Sequence, residues 1–496
     1  MNPLLPKNTP PLITLLLWMG SLLSIAVPTR AALSPPPAKR PNLLFIFPDQ
    51  MRRQAMGFVW EDPVLTPNID RLAREGIYFP QATSTYPLCT PWRGMMMTGR
   101  FPPATGLVHN ANSSRPAVYL RRNEVCITDV LHQAGYNIGY VGKWHLTHPH
   151  APYLPQDQRE NDIKWDEFTP KEDRHQIDFW YAYNAYDAHL RPRYWSTDAG
   201  RNDFHYIDQW SPEHETDIAI RYLENKDGAM RDPNAPFALW MSLNPPHSPY
   251  AQIPPHLRER YRDKSWKDLL NRKNVSLEGT GANARAAILD YLAAVSGVDE
   301  QLGRVLESLK QLNLENDTIV VFTSDHGDMM GSHGLMSKPY AYAEAFEIPL
   351  IFRWPGHIPA GSSDNLLIGT ADLMPTVLGL MGLQRSIPPQ VQGVNYSDVI
   401  LGRPFPARPN SALYMDESDG GHRGVRTNQY TLVLSQGRAG EPLVRLFDNK
   451  ADRYQLHDIA PTHPKIAADL TAEVHRWLNH IGDHWSNSTV TAPERN

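Results

Sequence analysis

Two apolar runs of strand length, each stopping on an acidic residue, constrain this chain more than any other feature. Leu43-Leu44-Phe45-Ile46-Phe47 is closed by Pro48 and followed by Asp49-Gln50, and Thr318-Ile319-Val320-Val321-Phe322 runs into Ser324-Asp325. Short, continuous runs of this kind have the length of buried strands. Helical patterns lie between them. Thr66-Pro67 offers an N-cap and a first helical position and Gly76 a stop, with Ile69, Leu72 and Ala73 inward. Residues 127–134 read as a helix ending at Gly135, with strands at 136–141 and 237–243. The clearest helix covers about 284–312, where Ile288, Leu292, Val295, Leu302, Val305, Leu306 and Leu309 recur at helical spacing. Strands alternating with helices imply an α/β fold with a mostly parallel central sheet covered on both faces. From 396 the pattern changes to short strands and loops, then a helix near 466–480, as in a smaller C-terminal α+β subdomain. Functional groups of such sheets gather at the carboxyl ends of strands. Asp49 and Asp325 both fall there, so acids far apart in sequence meet at one site.

Residues 1–31 read as a secretory signal: Lys7, an apolar stretch over 12–27, then Thr29-Arg30-Ala31 for cleavage. No polar stop-transfer pattern follows, which favours a cleaved signal over a retained anchor. A Pro-rich linker covers 32–40, a main domain 41–395 and the subdomain 396–496. The chain is thus expected to be exported, periplasmic or secreted, without stable membrane insertion. Its formal charge of −5 over 496 residues argues against nucleic acid as a partner. An anionic substrate would have to meet positive charge gathered inside the site. Cys89 and Cys126, the only two cysteines, make no disulfide scaffold. They could pair with each other, but the neighbours of Cys89 suit a modified residue better.

Those neighbours are Cys89-Thr90-Pro91-Trp92-Arg93, a Cys-x-Pro-x-Arg pattern. Pro91 suits a first helical turn, which would put residue 89 at a helix N-terminus, where anions are favoured. In order along the chain come 94–100 (Gly-Met-Met-Met-Thr-Gly-Arg), 135–145 (Gly-Tyr-Asn-Ile-Gly-Tyr-Val-Gly-Lys-Trp-His) and Pro246-His247. Ser324-Asp325-His326-Gly327, Lys338, 348–356 and Leu446-Phe447-Asp448 follow. Together they resemble the formylglycine-dependent type I sulfatases of the alkaline-phosphatase-like superfamily, over about 41–458.

The resemblance implies an alkaline-phosphatase-like fold and hydrolysis of sulfate esters. It implies that a formylglycine-generating maturase oxidises Cys89 to formylglycine (3-oxoalanine). The hydrated aldehyde has two hydroxyls: one attacks sulfur, and the other expels sulfate by re-forming the aldehyde. The resemblance also implies one divalent metal held by Asp49, Gln50, Asp325 and His326, with residue 89 completing the shell. Oxygen ligands point to Ca2+. The His326 imidazole, and Gln50 where many members carry Asp, leave Mn2+ open. Arg93 would lie beside residue 89, Lys143 on the sulfate and His145 on the formylglycine hydroxyl. His247 and Lys338 would contact the ester and protonate the leaving oxygen. Lys143 and His145 lie two apart, so an extended segment would point both the same way.

Trp92 departs from the family's usual small residue and bears on maturation or on the pocket's shape. The aromatic-rich stretch 164–210 reads either as a rim for a sulfated carbohydrate or as a packed insertion. Two competitors to a saccharide sulfatase stay open. One is a phosphonate monoester or phosphodiester hydrolase of the same superfamily; the other is an unmatured relative that binds glycans.

Overall fold

The first apolar run becomes the strand β1 (Asn42–Pro48), and the acid that follows it sits at the centre of a ten-stranded sheet's carboxyl edge. The computed structural model describes residues 40–154, 159–160, 163–436 and 442–485. The expected signal and linker lie outside the described residues. The other strands of this sheet are β2 (Ile77–Tyr78), β3 (Asn137–Lys143), β4 (Phe179–Tyr183), β5 (Arg193–Ser196) and β6 (His205–Tyr206). They continue with β7 (Phe237–Leu243), β8 (Thr318–Thr323), β9 (Leu350–Arg353) and β10 (Ser362–Ser363). Their order is β10-β2-β9-β8-β1-β7-β3-β4-β5-β6.

The five central strands, β8 to β4, are parallel throughout. The flanks are not: β9 runs antiparallel to β8 and β2, and β5 and β6 follow antiparallel from β4. The connections from β4 to β5 and from β5 to β6 are too short for the helical crossover that a parallel neighbour needs. The sheet is therefore mixed, parallel where the site is.

Every residue of β1, β7 and β8 is buried. Leu44 and Ile46 face a core that includes α1 (Pro67–Glu75), α4 (Ser211–Glu224) and α5 (Ala284–Gln311). Leu43, Phe45 and Phe47 face the opposite core, built with α2 (Cys89–Thr98), α3 (Ile127–Gln133) and α6 (Leu373–Leu380). Apolar surface on both faces explains why these strands show no polar alternation.

The start of α1 differs from expectation. Thr66 makes no cap bond to its helix; its hydroxyl accepts from the Gly57 amide (2.7 Å) and donates to Asp70 (2.9 Å). Asp299, on α5, takes the Asn68 and Ile69 amides instead, at 2.9 and 2.7 Å. A buried carboxylate is the stronger acceptor for helix N-terminal amides. Asp299→Ala should leave these amides unpaired and cost about 1–3 kcal/mol, seen as a lower midpoint in chemical unfolding. An unchanged midpoint would contradict this capping role.

Beyond the main sheet, β11 (Ala412–Asp416), β12 (His422–Arg426), β13 (Tyr430–Gln436) and β14 (Pro442–Asp448) form an antiparallel meander. One face packs Val425, Leu432, Leu434 and Leu446 against α7 (Pro464–Ile481). The other sets Tyr414 and Val433 against Phe346, and the Met415 amide donates to the Thr85 carbonyl at 2.7 Å. Among the described residues, no helix is long and apolar enough to cross a membrane.

Candidate active site

The carboxyl ends of β1 and β8 are tied to each other by hydrogen bonds. Ser324 Oγ donates to the Pro48 carbonyl at 2.9 Å and accepts from the Met51 amide at 3.1 Å. The chain turns at Gln50 with φ +70°, and its amide donates to Asp325 Oδ1 at 3.0 Å. Asp49 and Asp325 thereby converge, both fully buried. Helix α2 delivers its first residue, Cys89, to the same point. The thiol lies 3.7 Å from Asp49 Oδ1 and 3.4 Å from His326 Nε2.

Positive charge surrounds this cluster. Arg93 Nη2 lies 3.0 Å from Asp49 Oδ2 and 3.5 Å from Asp325 Oδ2, and its Nη1 donates to Ser242 and to the Lys143 carbonyl. Lys143 Nζ lies 2.9 Å from Asp49 Oδ2 and donates to Asn244 at 3.0 Å. Lys338 Nζ donates to Gln50 Oε1, while the Gln50 amide nitrogen is held by Tyr250 at 3.1 Å and by Asp328. Burial resists ionisation of Asp49, but Lys143, His247, Lys338 and His326 together hold its carboxyl well below the usual range. Asp325 goes the other way: burial, and then the charge of Asp49, push it up to about 6. At Cys89, burial and Asp49 oppose ionisation, yet Lys338, Lys143 and His326 pull the thiol well below its ordinary value. The surroundings of residue 89 favour negative charge.

Above Cys89 lies a polar cavity of about 700 Å³, whose lining includes Lys143, His145, His247, Lys338, Asn110 and Trp165. His145 has φ +52°, so it does not continue the extended alternation from Lys143; both reach the cavity through the turn. Its Nε2 donates to the Ala111 carbonyl at 3.2 Å, and burial lowers its pKa. His247 reaches in from the loop after β7, with Nδ1 2.6 Å from the Ser248 carbonyl.

The aromatic stretch is mostly core. Trp180, Tyr183, Tyr194, Trp195 and Trp210 are buried, and β4 to β6 extend the sheet edge. Only Trp165, Ala185 and Asp187 from that stretch line the cavity. Trp92 is also core: it is fully buried, with its ring 5.4 Å from that of Phe47, and does not shape the cavity. Both cysteines are free. Cys126 caps α3 reciprocally with Asp129, and His175 Nδ1 stands 3.3 Å from that carboxylate. Burial and the nearby acids push the Cys126 thiol well above its ordinary value.

A sulfatase family model matches residues 41–383, and one described as N-sulphoglucosamine sulphohydrolase, C-terminal, matches 331–482. The chain belongs to the sulfatase family. It is a sulfuric ester hydrolase. An endo-4-O-sulfatase from Bacteroides thetaiotaomicron is 39% identical, over 91% of this chain and 94% of its own. An ulvan-active sulfatase from Formosa agariphila is 32% identical, over 90% and 83%. A solved structure described under the metabolism of multiple glycosaminoglycans by B. thetaiotaomicron superposes with a TM-score of 0.84 at 38% identity, over 90% and 98%.

The sulfatase family generally uses a divalent metal, and the acceptor cluster fits one. His326 Nδ1 lies 3.0 Å from the Gly327 carbonyl and so carries a proton, which leaves Nε2 as the atom facing Asp49 and Asp325 at 3.5 and 3.6 Å. Oxygen ligands at 2.3–2.6 Å, meeting near right angles, sit about 3.3–3.7 Å apart. Asp325 Oδ2 has no hydrogen-bond donor of its own. Asp49 Oδ1, the Cys89 sulfur and His326 Nε2 converge on one side of the pair while Arg93 lies on the other, between Asp49 Oδ2 and Asp325 Oδ2, and a cation would suit the converging side. Gln50 stands at the edge of this cluster, with its side-chain oxygen on Lys338. In this sulfatase, sequence reasoning missed Asn110, Asn244, Tyr250 and Asp328, and took Asp187 only as part of the aromatic stretch. These are polar residues that no periodicity marks; only their place near strand ends could have drawn attention.

Proposed function

We propose that this sulfatase hydrolyses sulfate esters of a saccharide or polysaccharide, with residue 89 as formylglycine and one divalent metal, calcium. The observation that carries this is the cationic cavity over Cys89 at the start of α2, with the acidic cluster beneath. Relatives named for endo-4-O-sulfate and ulvan support the saccharide, and Trp165 offers an aromatic face beside the polar groups. Asp49, Asp325 and His326 would hold the metal with residue 89, and Gln50 would complete the set if its oxygen turns from Lys338. The metal, when bound, offsets negative charge beside residue 89. Formylglycine, when formed by its maturase, supplies a nucleophile that can release sulfate without a stable ester. The proposal includes the N-terminal signal and export to periplasm or medium.

The chain's own residues divide the remaining work. Lys143 and Lys338 bind the sulfuryl oxygens, and Arg93 neutralises the carboxylates from below. His145 holds the hydroxyl of residue 89. His247 protonates the departing alcohol, a natural task for imidazole near neutral pH.

Sulfate release from a panel of sulfated polysaccharides, set beside phenylphosphonate ester cleavage, tests the substrate class. Saccharide sulfate release supports the reading; preference for the phosphonate would overturn it. A strong chelator should remove activity reversibly, and Asp325→Ala should remove it permanently. Metal analysis should find about one divalent ion per chain. An active, metal-free preparation would contradict the metal's role.

A further inference from the structure

The loop after β4 brings a carboxylate to the cavity that the proposed chemistry leaves unused. Asp187 Oδ1 accepts from Asn244 Nδ2 at 2.9 Å and lies 3.7 Å from His247 Nδ1 and 3.8 Å from Lys143 Nζ. Two residues on, His189 Nε2 donates to the His247 carbonyl at 2.9 Å. Asn244 Nδ2 also donates to the Tyr186 carbonyl, and the His247 amide to the Asn244 carbonyl at 3.1 Å. Loop 184–189 is thus fastened to the segment that carries His247. The Ser248 carbonyl, 2.6 Å from His247 Nδ1, can only accept, so Nδ1 keeps its proton and Nε2 is the exchanging nitrogen.

We propose that Asp187 is a positioning residue for His247: it sits on the Nδ1 side of the ring and fixes the ring's orientation. This rests on the reading of His247 as proton donor. In that step the ester S–O bond breaks, its electron pair stays on the alcohol oxygen, and that oxygen takes the Nε2 proton. The imidazole is left neutral, with the Nδ1 proton kept and still donated to the Ser248 carbonyl. Lys143 does not draw Asp187 away, because Asp49 and Asn244 lie nearer to it, at 2.9 and 3.0 Å. Burial opposes ionisation of Asp187, but His247 and Lys143 lower its pKa, so the carboxylate is charged at neutral pH.

A double-mutant cycle of Asp187→Asn and His247→Ala tests this, assayed on phenyl sulfate, a poor leaving group, and 4-nitrophenyl sulfate, an activated one. Asp187→Asn keeps an acceptor for Asn244 while removing the charge. Its kcat on phenyl sulfate should fall about 10–100-fold, the range for partners that orient metal-bound histidines. KM and 4-nitrophenyl sulfate turnover should change little. In the His247→Ala background the same substitution should add nothing, and Asp187→Glu should recover part of the loss. A loss equal on both substrates, or undiminished without His247, overturns the positioning role. Should His247→Ala itself harm both esters equally, the proton-donor reading fails first and the proposal goes with it. Unfolding midpoints of each variant separate these results from a loss of fold.

Discussion

Cys89→Ala is expected to lose all measurable turnover on every sulfate ester while remaining folded. The two effects separate because the residue's chemistry and its packing are different things. The thiol sits at the start of α2, buried but small. Removing one sulfur there should cost about 1 kcal/mol or less, at the mild end for a buried truncation. The charges below it stay paired, because Arg93 and Lys143 both keep Asp49 within 3.0 Å. The alanine methyl offers no nucleophilic atom at that point. Cys89→Ser should behave in the same way in a host whose maturase oxidises only cysteine. Substantial activity in the alanine variant, measured on 4-nitrophenyl sulfate with the unfolding midpoint alongside, would remove residue 89 from the mechanism.

His247→Ala should lower turnover by about two to four powers of ten on esters with poor leaving groups, the usual contribution of a general acid. Sugar hydroxyls are such leaving groups. Activated phenolates depart without a proton, so 4-nitrophenyl sulfate should lose much less. Lys338→Ala removes the charge proposed to bind sulfuryl oxygens and should damage both types of ester comparably. Rates for both variants across a series of aryl sulfates provide the comparison. Equal losses for His247→Ala across that series would move the acid role to another group, with Lys338 the next candidate.

The architecture was legible wherever burial left a periodic mark. β1 and β8 stand out because both faces are buried, and α5 because one stripe of Ile, Leu and Val faces the sheet. The two-residue strands β2, β6 and β10 are too short to carry a pattern. Thr66 looked like a cap, but the cap of α1 came from Asp299, distant in sequence, and no local rule could find it. The site residues divide in the same way. Asp49 and Asp325 could be placed from strand ends alone, while Cys89, Lys143 and His145 needed a resemblance between motifs. Asp187 lay inside an aromatic stretch that composition allowed as a sugar rim. Most of its tryptophans and tyrosines turned out to fill the core, and of its several acids Asp187 reached the cavity. Composition does not tell a strand packed on both faces from an exposed aromatic platform.

Residue 89 is proposed to act after conversion of its thiol to an aldehyde. Mass analysis of the residue-89 peptide from active enzyme tests this most directly, with catalytic rate per molecule measured on the same preparation. The peptide is expected to be lighter than the cysteine form by the difference between CH2SH and CHO, in a fraction that tracks specific activity across preparations. Full activity in a preparation whose residue 89 is entirely unmodified cysteine would contradict it.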